Sequence, residues 1–143
     1  MNEPGRATAD QAADKPEEIT MKFLCLGYYD ADTMDARPAS DIEAIMAQCT
    51  PHLRAFYATG QVVLDAGLEP SAKRLRHADG KVEVADGRVA DQGLLIGSAT
   101  IIEARDMDDA IAVASKHPTP QVPAGAAFGW TLEIRPIHSF HQP

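Results

Sequence analysis

Residues 81–118, KVEVADGRVADQGLLIGSATIIEARDMDDAIAVASKHP, decide the fold of this chain. They run strand, Asp-Gly turn, apolar strand, capped helix and His-Pro stop. The first strand pairs backward. Residues 73–78, the dipeptide Asp79-Gly80 and residues 81–85 predict a hairpin, because Asp-Gly supplies the positive backbone angles of a tight primed turn. Leu75, Val82 and Val84 alternate with charged neighbours, which predicts a half-exposed hairpin. A second Asp-Gly, Asp86-Gly87, opens a loop that ends near Leu94, where LLIGSATII begins another apolar strand. Asp106 caps the following helix, with Asp109 in its first turn and Met107, Ala110, Ile111 and Ala114 on its buried side. His117-Pro118 stops that helix.

Upstream, residues 22–29 (KFLCLGYY) are apolar at nearly every position, so a strand here buries both faces. A polar loop runs through Asp35, and Pro38 with Ser40 or Asp41 marks a helix start. Ile42, Ile45, Met46, Cys49, Leu53 and Phe56 form its apolar stripe. Pro51 lies inside the stripe and predicts a kink or break, and Gly60 provides a left-handed cap. Residues 61–68 (QVVLDAGL) read as a strand with Val63, Asp65 and Gly67 on one side and Val62, Leu64 and Ala66 on the other. Downstream, a Pro- and Gly-rich loop leads to a last strand over 128–135. Phe128, Trp130, Leu132 and Ile134 share one face of it, with Thr131, Glu133 and Arg135 on the other.

The order β, α, β, inserted hairpin, β, α, β is the ferredoxin-like split β-α-β arrangement of an α+β domain. Two helices cover one face of such a sheet, yet residues 22–29 and 94–102 call for cover on both. A second copy of the same sheet, related by a two-fold axis, supplies it, so the chain is expected to be a homodimer with facing sheets.

Composition bounds the rest. At 143 residues, 45% apolar, the chain suits one domain with a real core. The formal charge is −8, and no segment supplies the basic patch that nucleic acid requires. Residues 1–20 are polar, with five acids and two bases, and read as a disordered tail before a domain over 21–137 and a short tail over 138–143. No secretory signal precedes Met21 and no apolar run is long enough to span a bilayer, so a cytoplasmic location without membrane attachment is expected. Cys25 and Cys49 read as reduced core residues.

Several motifs resemble one family. MKFLCLGYY resembles the opening strand of the Asp-Gly-Pro-Phe (DGPF) branch of the YCII-related proteins. LEPSAKRLR resembles its Leu-x-Pro entry into the hairpin, DGKVEVADG the hairpin itself, and LEIRP the closing strand. The resemblance covers residues 21–137 and implies a dimeric α/β barrel with a cavity near the facing sheets. It departs where the family pattern continues Asp-Gly-Pro-Phe into a small residue and Glu-Thr-Lys-Glu. This chain reads Asp86-Gly87-Arg88-Val89-Ala90-Asp91-Gln92-Gly93-Leu94, keeping the first acid as Asp91 and replacing the Lys and second Glu by Gly93 and Leu94.

The broader family implies an acid-base pair of a His in the first helix and an Asp after the second strand, which points to His52 and Asp65 as candidates beside Asp91. An imidazole oriented by a carboxylate can move a proton in elimination, isomerisation or hydrolysis. Each residue also has a structural reading. His52 fits as a hydrogen-bonded core His, while Asp65 fits beside a turn, paired with Arg54 or Arg135, or lining a wet cavity. His138 and His141 have a two-His spacing but no helix to hold them, so no metal is expected, and no cofactor motif is present. Two functions stay open: a small-molecule-binding homodimer with cofactor-free acid-base catalysis, and a non-catalytic ligand-binding or regulatory module acting on a partner protein. A heme or flavin-free oxygenase rests on fold analogy alone.

Overall fold

The computed structural model describes residues 20–90 and 93–143. The expected tail over 1–20, apart from Thr20, and the candidate Asp91 lie outside the described residues. Strand β1 (Met21–Tyr29) leads through α1 (Ala31–Asp35), α2 (Ala39–Ala47) and α3 (Cys49–Tyr57) to β2 (Val62–Gly67). The hairpin β3 (Lys73–Ala78) and β4 (Lys81–Asp86) follows, then β5 (Leu95–Ala104), α4 (Met107–Ala114), α5 (Pro118–Gln121), a 3-10 turn (Pro123–Phe128) and β6 (Thr131–Pro136). The main sheet has order β2-β5-β1-β6 with every neighbour antiparallel. This is the α+β, ferredoxin-like arrangement with an added hairpin.

Local signals account for most boundaries. The Asp106 carboxylate accepts from the Asp109 amide at 2.8 Å and starts α4. Gly60, with φ +74°, follows the end of α3. Asp79 and Gly80, with φ 51° and 77°, make the two-residue primed turn between β3 and β4. Pro51 has no amide to donate to the carbonyl of Ala47, and the helix divides there, at Gln48, into α2 and α3.

Three expectations are corrected. The loop before Asp35 is the short helix α1, because the Asp30 side chain caps it by accepting from the Thr33 amide at 3.3 Å. The last strand begins at Thr131 rather than at 128, since residues 123–128 wind into a 3-10 turn closed by Gly129 at φ +67°. The hairpin is exposed on both faces: Leu75, Val82 and Val84 are 61–65% exposed, and ion pairs such as Arg76–Glu83 at 2.8 Å supplement the backbone ladder between the strands.

Helices α3 and α4 cover one face of the sheet. Phe23, Cys25, Thr100 and Ile102 are fully buried there against Phe56, Ala110 and Val113. A buried Phe contributes roughly 1.5–3 kcal/mol by leaving water. A second cluster, Ile45, Val122 and Phe128, closes the end of the sheet beneath α2. On the opposite face Leu24, Leu26, Leu64, Ala99 and Ile101 lie side by side in register and remain half-buried or exposed.

Gly125 marks a close approach. A Cβ there would stand 2.3 Å from the Trp130 ring, so the ring would have to shift, whereas nothing lies within 4 Å of a Cβ at Gly67. Gly125→Ala is expected to cost about 1–3 kcal/mol in urea denaturation, by overpacking. Gly67→Ala is expected to stay within about 0.5 kcal/mol of the parent protein.

Candidate functional site

The polar side chains that converge in this molecule sit where β2 meets β5 and α3. In β2 the register steps from Val62 opposite Ile102 to Leu64 opposite Ile101, so Val63 has no partner. This bulge overrides the simple alternation expected of residues 61–68. Val62 and Asp65 share the helix-covered face, and Leu64 and Ala66 take the other. Asp65 thereby stands opposite Thr100, whose fully buried hydroxyl donates to Asp65 Oδ1 at 2.8 Å. The Tyr57 hydroxyl, from the end of α3, donates to Oδ2. Asp65 pairs with these hydroxyls and with neither Arg54 nor Arg135. Its hydrogen bond, followed by burial and by the carboxylate's charge, pushes the Tyr57 phenol up to about 12.

His117 is the neighbour that the sequence did not single out. It is 6% exposed, between α4 and α5, with its ring edge-on to Phe56 at 5.1 Å between centroids. Its Nδ1 accepts from the Thr119 amide at 3.0 Å and so caps α5. Burial pulls its pKa below the ordinary histidine value, and the Asp65 carboxylate opposes this. In the neutral ring one nitrogen accepts and the other carries the proton, so with Nδ1 accepting the proton sits on Nε2. That buried N–H finds no protein acceptor among the described residues. Leaving such a donor unsatisfied costs about 1–3 kcal/mol.

Both groups line a cavity of about 440 Å³. Met34, Met46, Leu53 and Trp130 form an apolar wall, and Ser98 and Thr119 add hydroxyls beside Asp65 and His117. Small residues keep it open. Gly27 faces Ser98, and a second bulge leaves Gly97 unpaired between β1 and β5, where a Cβ would meet the Tyr29 ring at 2.9 Å. Cys49 also lines the cavity, and burial raises its thiol pKa. Cys25 is fully buried and pushed to about 11 by burial, and both cysteines are free. Neither thiol is poised as a thiolate nucleophile.

Of the three candidates, Asp65 is at the cavity and Asp91 lies outside the described residues. His52 is partly buried on α3 but does not line the cavity, which receives Cys49 and Leu53 from that helical segment. His52 also makes no hydrogen bond or ion pair among the described residues. The signal for His117 was present as a histidine directly before Pro118, at a helix start. It reads locally as a stop, and only the tertiary fold turns the ring toward Asp65.

Residues 21–132 match the family model described as the YCII-related domain. The chain belongs to the YCII-related family. The match spans β1 to the start of β6, and so includes Asp65 and His117. None of the curated proteins compared with the chain matches it. Among the described residues of this YCII-related protein, no helix is long and apolar enough to cross a membrane.

His117 makes stability depend on pH with a defined sign. Its folded-state pKa lies below the ordinary value of 6.5, so in the interval beneath 6.5 the unfolded chain binds more protons. Its contribution is therefore fully present above 6.5 and is lost as the pH falls from 6.5 toward the folded-state value. Thermal melts across this range are expected to show His117→Asn losing less melting temperature on acidification than the parent protein.

Proposed function

We propose that this chain is a cytosolic homodimer of the DGPF branch that binds a small organic molecule in the cavity and performs cofactor-free acid-base chemistry there. The observation that carries this reading is a buried ring N–H without a protein acceptor, on the same cavity wall as a carboxylate. Asp65 takes a proton from the bound molecule. The neutral His117 Nε2–H donates to the oxygen on which negative charge develops, and Tyr57 and Thr100 hold the carboxylate in place. Proton abstraction beside a carbonyl, leading to isomerisation or elimination, fits these roles. His52 then has a packing role. Asp91 stays a candidate through the family motif.

The homodimer reading rests on the uncovered apolar sheet face around Leu26 and Ile101. Glu133 lies on that face and accepts from Tyr28 Oη at 2.8 Å, giving the second copy a polar rim. The non-catalytic reading draws on the loop before β5. Gly93 and Leu94 stand where the family motif has Lys and Glu, and Leu94 packs against Gly129.

Native mass spectrometry tests both parts. The expected spectrum is a dimer carrying an extra small mass, with Leu26→Lys shifting it to monomer. With the released compound as substrate, Asp65→Asn and His117→Asn are expected to lower turnover by about a hundredfold or more, and His52→Ala by less than about threefold. No turnover of the bound compound by the parent protein would leave the non-catalytic module standing, and unchanged turnover in the first two variants would take the chemistry away from Asp65 and His117.

A further inference from the structure

The polar groups of the cavity also constrain the charge of what it binds, an inference that rests on the ligand-binding reading above. Asp65 is the one charged side chain on its wall among the described residues, and no Lys or Arg lines it. A carboxylate offers about four lone-pair directions, and Tyr57 and Thr100 use two of them. What remains accepts a donor from the ligand and repels an anion. His117 imposes the complementary demand. Its buried Nε2–H needs an acceptor, which an ammonium group lacks, so a simple cation would satisfy Asp65 and leave His117 unpaired. An anion would satisfy His117 and meet Asp65 with no cation on the wall to offset it.

We infer that the cavity selects an uncharged molecule carrying an oxygen acceptor beside an N–H or O–H donor on a ring-sized apolar body. A carboxamide, a hydroxy ketone or a phenol belongs to this class, whereas free carboxylates and phosphate esters do not. The acceptor meets His117 and the donor meets Asp65. The apolar body lies against Met34, Met46, Leu53 and Trp130. The cavity volume of about 440 Å³ falls in the usual range for sites that enclose such molecules.

The test compares phenylacetamide, phenylacetate and phenylethylammonium, which share a body and differ in charge, by titration calorimetry on the full chain at about pH 7.5, where the acid is ionised and the amine protonated. Phenylacetamide is expected to bind at least about tenfold tighter than either ion, which corresponds to about 1.4 kcal/mol. Asp65→Asn removes the charge at nearly constant shape and is expected to close the gap between amide and carboxylate, with circular dichroism confirming the fold. Phenylacetate or phenylethylammonium binding as tightly as the amide would overturn the inference and leave the cavity a ligand site. Binding of none of the three would count against the ligand-binding reading itself, and the inference would fall with it.

Discussion

Asp65 and Thr100 face one another across β2 and β5, and the 2.8 Å hydrogen bond between them depends on a single unpaired residue, Val63. Side chains alternate with a period of two along a strand, so moving the register by one residue exchanges the faces. With β2 regular from Val62 onward, Asp65 would stand opposite Ala99 on the uncovered face. Thr100 would then be left as a fully buried hydroxyl without its present acceptor. The bulge keeps Val62 packed against the core and still puts the exposed Asp65 on the same face, at the edge of the cavity. The reach of Tyr57, the charge near His117 and the polarity of the cavity all follow from that one step in register.

The same distinction between local and long-range causes separates what was legible in the sequence from what was not. The Asp79-Gly80 turn, the Asp106 cap, the Gly60 terminus and the break near Pro51 are local: each follows from the backbone angles or hydrogen-bonding groups of the residues themselves. The ferredoxin-like arrangement followed too, because the alternation of strands and amphipathic helices leaves few ways to bury them. The 3-10 turn over 123–128 was missed because Phe128 is apolar and continues the alternation of β6, while its backbone obeys the Pro- and Gly-rich stretch before it. Asp65 was legible as an acid in an apolar strand that required a partner. Its actual partners, Tyr57 and Thr100, lie on two other elements, and nothing near Asp65 in sequence identifies them. His52 and His117 are one residue type in two settings, and only packing puts the second beside the cavity.

The chain leaves more apolar surface uncovered than its core requires. Leu24, Leu26, Leu64 and Ile101 are contiguous on the sheet face that no helix covers, and the hairpin presents Leu75, Val82 and Val84 outward. A two-stranded hairpin is marginal in water without a third layer. The ion pairs Arg76–Glu83 and Lys73–Asp86 align β3 with β4, but such exposed pairs contribute about 0–1 kcal/mol each. The homodimer proposed above would shield the sheet face without adding an element to the chain.

Burial of His117 governs the state of its ring in two linked ways. Desolvation disfavours the imidazolium, and the Thr119 amide occupies Nδ1, so protonating the ring would also cost the cap of α5. Both favour the neutral ring against the opposing charge of Asp65, and with Nδ1 accepting, the proton sits on Nε2. A neutral N–H beside a carboxylate is a donor and an acceptor in fixed positions rather than an ion pair that neutralises itself. Because the ring stays neutral, the donor and the carboxylate both remain available to a third molecule.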